Sequence, residues 1–360
     1  MPTADELLGA NVVHNLVDCL GGDLPATSAT AGEFDGLSLS DRARIVRDAL
    51  LAELPADYPQ FEAAIEAALT NDEFTGWMIW PISEALAVRA TSEGVAEFDS
   101  GLALLAWLTS RLTGEFAIRT FMDADLDRTL DTALEWTHHP DPHVRRLASE
   151  GTRPFLPWAR RVEALTARPD ATTAILDALY RDDSEFVRRS VANHLNDLSR
   201  TDPTLVVDRA AAWMADPDAH TTQLVRRALR SLIKKGDPGA LSLLGFAPTE
   251  GVEARDLEVT PNEVPTGGSV TIRFDLANTA DSEQSVAVDY VIHHVRANGK
   301  RSPKVFKLTT RALAPGSTTT ITRTHSFRPI TTRRYYPGEH VLEIQVNGSI
   351  LAGAVFELTE

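Results

Sequence analysis

The stretch HHPDPHVRRLASEGTRPFLPW, residues 138–158, decides the fold, because the start of its helix recurs twice downstream. Val144-Arg145-Arg146 is repeated as Val187-Arg188-Arg189 and again as Val225-Arg226-Arg227, at separations of 43 and 38 residues. Each copy follows an acidic or Pro/Asp turn. A unit of roughly 40 residues that recurs in this way predicts stacked helix pairs of the HEAT or armadillo type.

The helical pattern extends to both sides of this stretch and predicts an all-α region that ends near residue 246. Prolines stand at or just before several predicted helix starts, where the missing N–H costs little. Ser40 or Asp41 is expected to cap the first long helix, and residues 1–35 to be weakly ordered or to form one short helix. The helices predicted after it span 58–69, 81–93, 99–112, 115–137, 143–152, 159–167, 170–180, 184–199, 203–215 and 220–235.

Beyond a linker at 246–251, apolar and polar residues alternate, which is typical of β-strands. Seven strands are predicted, at 254–259, 269–278, 285–297, 303–311, 317–327, 339–347 and 353–359. Turn signals such as Asn298-Gly299 and Pro315-Gly316 separate them. The predicted fold is therefore mostly α, with a HEAT-like helical repeat solenoid at 1–246 followed by an immunoglobulin-like β-sandwich at 252–360. Cys19 is the only cysteine, so no disulfide supports the sandwich.

Composition indicates a cytoplasmic globular protein. The chain has 360 residues, 43% of them hydrophobic, and no uncharged apolar run approaches the roughly 18 residues of a membrane span. The first residues are acidic where a signal peptide is positively charged.

The net charge of −16 is unevenly distributed. Residues 1–137 carry 7 Lys/Arg and 24 Asp/Glu, residues 138–251 carry 16 and 15, and residues 252–360 carry 12 and 12. Within the last part, residues 290–338 contain ten basic residues and no acidic one. Because clustered charge sets the local potential, a nucleic-acid partner remains compatible with the overall acidity.

Glu150 is the first candidate for a reactive group. On its predicted helix Val144, Leu147, Ala148 and Gly151 form the inward stripe, and the remaining surface carries Arg145, Arg146, Ser149, Glu150 and Arg153. Two interpretations stay open: Arg146 and Glu150, four residues apart, form an ordinary surface ion pair, or Glu150 is a reactive carboxylate in a basic cradle. The equivalent positions downstream are Asn193 and Ser231, so the repeat itself requires no carboxylate there.

Three further features also have alternative interpretations. Glu115 is either a second reactive carboxylate or an acidic residue favoured by the start of a helix. Trp158, within an irregular stretch, either stacks on a nucleotide or, as the stretch alone favours, packs in the core. A Pro turn is surrounded by His138, His139, Asp141 and His143 without the geometry of a zinc site, so we expect neither a metal nor another cofactor.

The run TTRRYYPGEH at 331–340 is a second informative stretch, beside residues 138–158. On these two stretches the chain resembles the AlkC branch of the DNA alkylation-repair glycosylases, the HEAT-like group that also includes AlkD. The other matching segments are TGEFAIRTFM (113–122), HPDPHVRRLASEGTRPFLPWA (139–159) and FVRRSVANHLNDLS (186–199). The resemblance covers nearly the whole chain. An immunoglobulin-like tail on the helical array is what distinguishes AlkC from AlkD.

This resemblance implies a glycosylase that excises N3-alkylated bases, 3-methylcytosine and 3-methyladenine, from double-stranded DNA. It implies hydrolysis of the N-glycosidic bond without extrusion of the base into a pocket. The family's catalytic carboxylates fall on Glu115 and Glu150. Trp158 and Arg153 beside them are expected to contact DNA, and Asn193 and Asp197 are weaker candidates for DNA contact. We see no departure from the family pattern at the two glutamates.

The repeated basic residues are predicted to hold DNA phosphates without reading sequence. In the helical part they are Arg145, Arg146, Arg188, Arg189, Arg226, Arg227, Lys234 and Lys235. In the tail, a second DNA contact is predicted through Lys300, Arg301, Lys304, Lys307, Arg328, Arg333 and Arg334, the alternative being a solvated basic face.

We expect the protein to act as a monomer. Two other functions remain open: a non-catalytic HEAT scaffold that binds nucleic acid or a protein, and an AlkD-like specificity for bulky cationic lesions. The tail argues against the second of these.

Overall fold

The computed structural model describes residues 2–92, 94–246, 250–330 and 333–360. Helices come first in the chain and strands follow. The helices are α1 Ala4–Leu7, α2 Ala10–Cys19, α3 Pro25–Ala29, α4 Leu39–Glu53, α5 Tyr58–Leu69, α6 Ile79–Ser92, α7 Val95–Leu108, α8 Ile118–Ala124, α9 Leu126–Trp136, α10 Pro142–Glu150, α11 Glu163–Ala167, α12 Thr173–Leu179, α13 Glu185–Leu198, α14 Pro203–Ala215, α15 Thr221–Ala228, α16 Arg230–Lys235 and α17 Pro238–Leu243. Short 3-10 turns occupy Thr30–Glu33 and Gly76–Met78.

The chain divides into two compact units. The first comprises Met1–Val206 and Asp216–Ala228, and the second comprises Val207–Ala215 and Leu229–Glu360. Helices α16 and α17 therefore belong to the same unit as the strands. The domain boundary placed at 246–252 by the sequence stays a proposal, and residues 247–249 of that linker lie outside the described residues.

Residues 2–35 contain the three helices α1, α2 and α3, so the expectation of weak order or of one short helix in this segment was wrong. Leu8, Val13 and Leu16 are fully buried. Arg42 from α4 ties the segment down by donating to the backbone oxygen of Leu8 at 3.2 Å. The first long helix is capped by Ser38 rather than Ser40 or Asp41, because the Ser38 hydroxyl accepts from the backbone N–H of Asp41.

The predicted helical repeat is confirmed. Val144, Val187 and Val225 occupy equivalent, fully buried positions on α10, α13 and α15. Helix α13 packs against both α10 and α15, as stacked repeats require. The long helix predicted at 115–137 is instead two helices, because Asp125 adopts an extended conformation and caps α9.

The immunoglobulin-like sandwich is also confirmed, and its described residues form eight strands instead of the seven predicted. They are β1 Val252–Thr260, β2 Glu263–Pro265, β3 Ser269–Asn278, β4 Gln284–Val295, β5 Arg301–Leu313, β6 Thr318–Ser326, β7 Gly338–Val346 and β8 Ser349–Thr359. One sheet has the order β1-β3-β6 and the other β2-β8-β7-β4-β5. All pairs are antiparallel except β2 with β8. The inner faces form a core that includes Phe274, Phe327 and Ile344.

Among the described residues, no helix is both long and apolar enough to cross a membrane.

Candidate functional site

Helix α10 positions the first candidate carboxylate. Asp141 caps its start by accepting from the backbone N–H of His143 at 2.8 Å, and Pro142 follows at the first helical position. Val144, Leu147 and Ala148 are buried, as predicted.

Ser149, Glu150 and Arg153 were assigned to the surface by the sequence, and that assignment was wrong. Ser149 is fully buried, and Glu150 and Arg153 are each 6% exposed. The neighbouring helix α13 covers this side of α10, where the hydroxyls of Ser149 and Ser190 lie 2.7 Å apart. The end of α10 is therefore enclosed on two sides, and its polar groups must find partners within the protein.

His194 on α13 fixes the end of α10. One ring nitrogen, Nδ1, lies 2.7 Å from the backbone oxygen of Ser149, and Nε2 lies 3.0 Å from the hydroxyl of Thr172. Complete burial lowers the pKa of His194 to about 3, because the protonated ring would lose its hydration. The ring is thus a neutral structural bridge between two repeats.

Five charged side chains at this point form what we call the acidic network: Glu115, Arg146, Glu150, Arg153 and Asp197. Arg153 Nη1 lies 2.5 Å from Glu150 Oε1, and its Nε lies 2.9 Å from Asp197 Oδ2. Arg146 Nη1 lies 3.0 Å from Glu115 Oε2, and its Nη2 lies 3.7 Å from Glu150 Oε1. The structure therefore brings the two predicted catalytic glutamates together through one shared arginine.

These five side chains alone carry one more negative than positive charge, since three carboxylates join two guanidinium groups. The buried guanidinium of Arg119 interacts with Glu115 and Arg153 and adds a positive charge beside them. The side chains of the network are between 3% and 17% exposed, so solvent screens these charges only weakly. Glu150 Oε2 and Glu115 Oε1 have no hydrogen-bond partner within the described parts of the chain. Each glutamate thus keeps one oxygen available to another molecule.

Arg153 holds its charge despite being buried. Burial alone would lower its pKa, but the hydrogen bond to Asp197 and the attraction of Glu150 raise it overall. This geometry disfavours the predicted contact between Arg153 and DNA, because its guanidinium already binds both carboxylates.

The surface ion pair that was the alternative for Glu150 fits the structure poorly. Arg146 and Glu150 do pair, but not at the surface, and Glu150 is closer to Arg153. For Glu115 the helix-start alternative stays compatible with the structure, because the turn that leads into α8 already contains a hydrogen bond from the Ile118 N–H to the Gly114 oxygen. Thr113 also orients this side chain, donating from its hydroxyl to Glu115 Oε2 at 2.9 Å.

Arg119 supports the candidate site, and the sequence did not reveal it. Its side chain is 1% exposed and donates to the backbone oxygens of Gly151, Arg153 and Arg160. It therefore shapes the irregular segment after α10. Neither helical periodicity nor spacing distinguishes such a residue, because its partners are carbonyls whose positions depend on the fold.

Trp158 lies in this segment and is 82% exposed, so the core position favoured by the sequence alone was wrong. Its backbone has φ of +64°, in the left-handed region that bulky residues rarely adopt. The segment thus presents a large aromatic ring to solvent at some conformational cost.

In the first two repeats, the two arginines of the pair have different environments. Arg145 donates to the backbone oxygens of the residues six and five positions before it, and Arg188 does the same in the next repeat. Arg145 also forms an ion pair with Asp182 at 2.7 Å. The first arginine therefore fastens the turn that precedes its helix, while Arg189, the second of its pair, is exposed in a groove between α13 and α15.

The other predicted contact residues are spread over both units. Arg226, Arg227, Lys234, Lys235, Lys300, Lys307, Arg328 and Arg334 have exposed side chains, and Asn193 is half-buried. Arg301 pairs with Glu339 at 2.5 Å, and Arg333 Nη1 lies 3.3 Å from His294 Nε2. Thr331 and Thr332 of the run at 331–340 lie outside the described residues.

Within the second unit, Lys304 experiences repulsion from like charges. The charge of Lys234 is the largest cause that lowers the pKa of Lys304, followed by burial and by Arg333. Clustered cations favour a polyanionic partner, and the Asp289 carboxylate offsets part of this charge because it also interacts with Lys234.

The described residues contain no group of three or more His, Cys, Asp or Glu side chains placed to hold a metal ion. In the His-rich turn, the His139 ring accepts from the backbone of Asp141, and the His143 ring packs edge-on against Phe186.

Comparison with known proteins agrees with this architecture. A family model described as "DNA alkylation repair enzyme" matches residues 106–234, and one described as "Uncharacterised protein YhaZ, C-terminal Ig-like domain" matches residues 253–360. The "Uncharacterized protein YhaZ" of Bacillus subtilis (strain 168) is 34% identical over 326 residues, which cover 91% of this chain and 89% of that protein. The structure of Pseudomonas fluorescens alkylpurine DNA glycosylase AlkC, bound to DNA containing an abasic site analog, matches at 36% identity with a TM-score of 0.85 over 100% of both chains.

The chain belongs to the AlkC-type branch of the DNA alkylation-repair family. The resemblance inferred from the sequence is thereby confirmed. In this AlkC-type chain the first family model spans the helices that build the acidic network, and the second spans the sandwich.

Proposed function

We propose that this protein is a DNA glycosylase that removes N3-alkylated bases, 3-methylcytosine and 3-methyladenine, from double-stranded DNA. It acts as a monomer, without cofactor, by hydrolysis of the N-glycosidic bond. The AlkC relative is described as an alkylpurine DNA glycosylase and was solved on DNA with an abasic site analog, which supports the proposal. The observation that carries it is the buried acidic network, which brings the carboxylates of Glu115 and Glu150 together.

The charge of the network fits the chemistry of an N3-alkylated base. Alkylation at N3 makes the base a cation, so it can leave without a proton from a general acid. What remains is to stabilise the positive charge that develops on the sugar and to position a water molecule. A preorganised negative group in a weakly screened site stabilises such a transition state most effectively.

Within the network we assign the reaction to the two glutamates and a positioning role to Arg153 and Asp197. Glu150 faces C1′ of the sugar and the attacking water through its free Oε2, and Glu115 shares in stabilising the positive charge. Arg153 and Asp197 act as positioning residues, because they are almost completely buried and paired with each other. This replaces the direct DNA contact that the sequence suggested for both.

Trp158 is proposed to stack on the exposed base or sugar of the lesion, which needs no extrusion of the base into a pocket. The exposed second arginines and the basic residues of the second unit hold the phosphates.

The test is single-turnover excision of 3-methylcytosine from duplex DNA. We expect Glu150→Gln to lose about 10²–10³-fold in rate, the scale for removing one preorganised electrostatic group, and Glu115→Gln to lose less. Glu135→Gln, an exposed glutamate on α9, is the matched control and should react like the wild type.

Two outcomes would overturn the proposal. Full activity of a folded Glu150→Gln variant would refute the role of Glu150. If the wild type binds DNA but releases neither 3-methylcytosine nor 3-methyladenine, the protein is instead a binding scaffold.

A further inference from the structure

Phe186 is an exposed aromatic residue to which the proposed reaction gives no role. It is the second residue of α13, and 42% of its surface is exposed. A single exposed apolar side chain is common on protein surfaces and indicates nothing by its exposure alone. The place of Phe186 beside the acidic network is what distinguishes it.

The ring of Phe186 directly contacts a member of the acidic network. The guanidinium carbon of Arg146 lies 4.8 Å from the ring centroid, and the same guanidinium binds Glu115 and Glu150. His143 packs edge-on against the ring, with 5.4 Å between centroids. Two side chains of α10 therefore hold the ring while part of it stays in contact with solvent. A ring held in this way loses little conformational freedom when a partner covers it.

The geometry of α13 places Phe186 between the acidic network and the groove that contains Arg189. Residues three and four apart share one side of a helix, with about 5–6 Å between their Cβ atoms. Ser190, four residues after Phe186, contacts Ser149 of α10 at 2.7 Å, whereas Arg189, three residues after it, faces the groove between α13 and α15. A DNA strand advances about 3.4 Å per nucleotide along the helix axis. The ring is thus within one or two nucleotides of a phosphate bound by Arg189.

The groove beside Phe186 also has the composition expected of a nucleic-acid contact. Of the described residues that line it, Glu185 is the only carboxylate, whereas Arg188, Arg189 and Arg227 supply guanidinium groups. An aromatic ring at the edge of a basic groove is the usual arrangement by which proteins hold a strand through both its phosphates and its bases.

The burial of Glu150 creates a need for such a contact. Glu150 is 6% exposed, and C1′ of a paired nucleotide is recessed between stacked neighbours. A recessed carboxylate can approach a recessed atom only where the stacking is locally opened. Proteins open a base step by inserting an apolar side chain, and phenylalanine is among the residues that serve this purpose.

We propose that the uncovered part of the Phe186 ring wedges against the nucleotide next to the alkylated one and partly unstacks it, which gives Glu150 access to C1′ of the lesion. Phe186 then has two contacts in the complex, with Arg146 on the protein side and with a base on the DNA side. This inference rests on the proposed function, because it takes duplex DNA as the substrate and Glu150 as the group that acts on it.

The fluorescence of 2-aminopurine rises when this base loses its stacking, so it measures the proposed effect directly. The probe is a duplex with a tetrahydrofuran abasic-site analogue and 2-aminopurine as the neighbouring base, saturated with the intact protein. We expect a rise with the wild type and less than half of that rise with Phe186→Ala. Phe186→Ala should also bind about tenfold more weakly, the scale for losing one contact between an aromatic ring and a base.

Two further variants separate the wedge from other roles of the ring. Phe186→Leu removes the cation–π contact with Arg146 but keeps an apolar wedge, so it should keep most of the rise in fluorescence. Trp107→Ala is the matched control, because it removes an exposed aromatic residue from a groove between α5 and α7 whose lining includes no residue of the acidic network. It should behave like the wild type in both measurements.

The proposal is wrong if the wild type produces no rise, or if Phe186→Ala, folded as judged by its melting temperature, produces the full rise at saturation. It is also wrong if Phe186→Leu behaves like Phe186→Ala, because the ring would then serve only to hold Arg146. None of these measurements requires excision. A rise that depends on Phe186 without release of any base would refute the glycosylase and leave the wedge standing, whereas excision without such a rise would refute the wedge alone.

Discussion

Replacing Arg153 with methionine is expected to destabilise the first unit by about 3–5 kcal/mol, the cost of removing one partner from a buried ion pair. The structure places this variant in the upper part of that range. Arg153 is 8% exposed at its side chain, and the two carboxylates it pairs, Glu150 and Asp197, are 8% and 3% exposed. Methionine approximates the length of arginine but offers neither charge nor donor, so both carboxylates would stay buried without this partner.

The matched comparison removes the carboxylate charges as well. In the triple variant Arg153→Met, Glu150→Gln, Asp197→Asn, no uncompensated charge is created, and we expect much of the lost stability to return. Urea unfolding at neutral pH, followed by tryptophan fluorescence, measures both variants. A loss below about 1 kcal/mol for Arg153→Met would refute the reasoning, as would a triple variant no more stable than the single one.

Three further predictions concern binding and pH. Arg189→Gln should weaken binding to DNA and reduce the slope of log affinity against log salt by about 0.9, as the loss of one phosphate contact does; an unchanged slope would remove Arg189 from the interface. Lys304→Gln should weaken DNA binding without lowering the melting temperature, because it relieves repulsion from Lys234; a destabilised variant with normal binding would contradict this. Because the pKa of His194 is depressed to about 3, its contribution to stability is complete above its ordinary pKa near 6.5 and falls by about 1.4 kcal/mol per pH unit as the pH drops towards 3. Urea unfolding of wild type and His194→Gln from pH 7 to 4 checks this, and parallel curves would show that His194 does not titrate in this way.

Much of the fold could be predicted because its signals are periodic. The recurring Val-Arg-Arg start identified helices whose valines are equivalent core positions, and the bounds predicted for α5 and α14 agree with the structure. Apart from the ten-residue α2, the elements that escaped prediction are short. Helices α1 and α3 have four and five residues and β2 has three, too few to establish a period.

The sequence predicted which glutamates belong to the site, but not how buried they are. Glu115 and Glu150 were identified by family resemblance, and the structure brings them together through Arg146. Their burial was not predicted, because a helix face is judged polar from its own residues and not from the helix that later covers it. His194 and Arg119 were missed for the same reason: each binds a backbone carbonyl more than 30 residues away, and such partners leave no trace in local sequence.

The two arginines of the repeated pair have different roles, although the motif itself is regular. Its first arginine has the same backbone contacts in α10 and α13, so it belongs to the architecture of the repeat. Its second arginine does not: Arg146 binds two carboxylates, and Arg189 faces an open groove. The residue one helical turn later also differs, being Glu150 in one repeat and Asn193 in the next. Glu150 alone does not place Arg146, however, because Arg146 lies 3.0 Å from Glu115 and 3.7 Å from Glu150. Two carboxylates, one of them from the segment before α8, therefore hold the second arginine in the repeat that we propose to react, and among the described residues no such pair faces Arg189 in the repeat that we propose to bind phosphate.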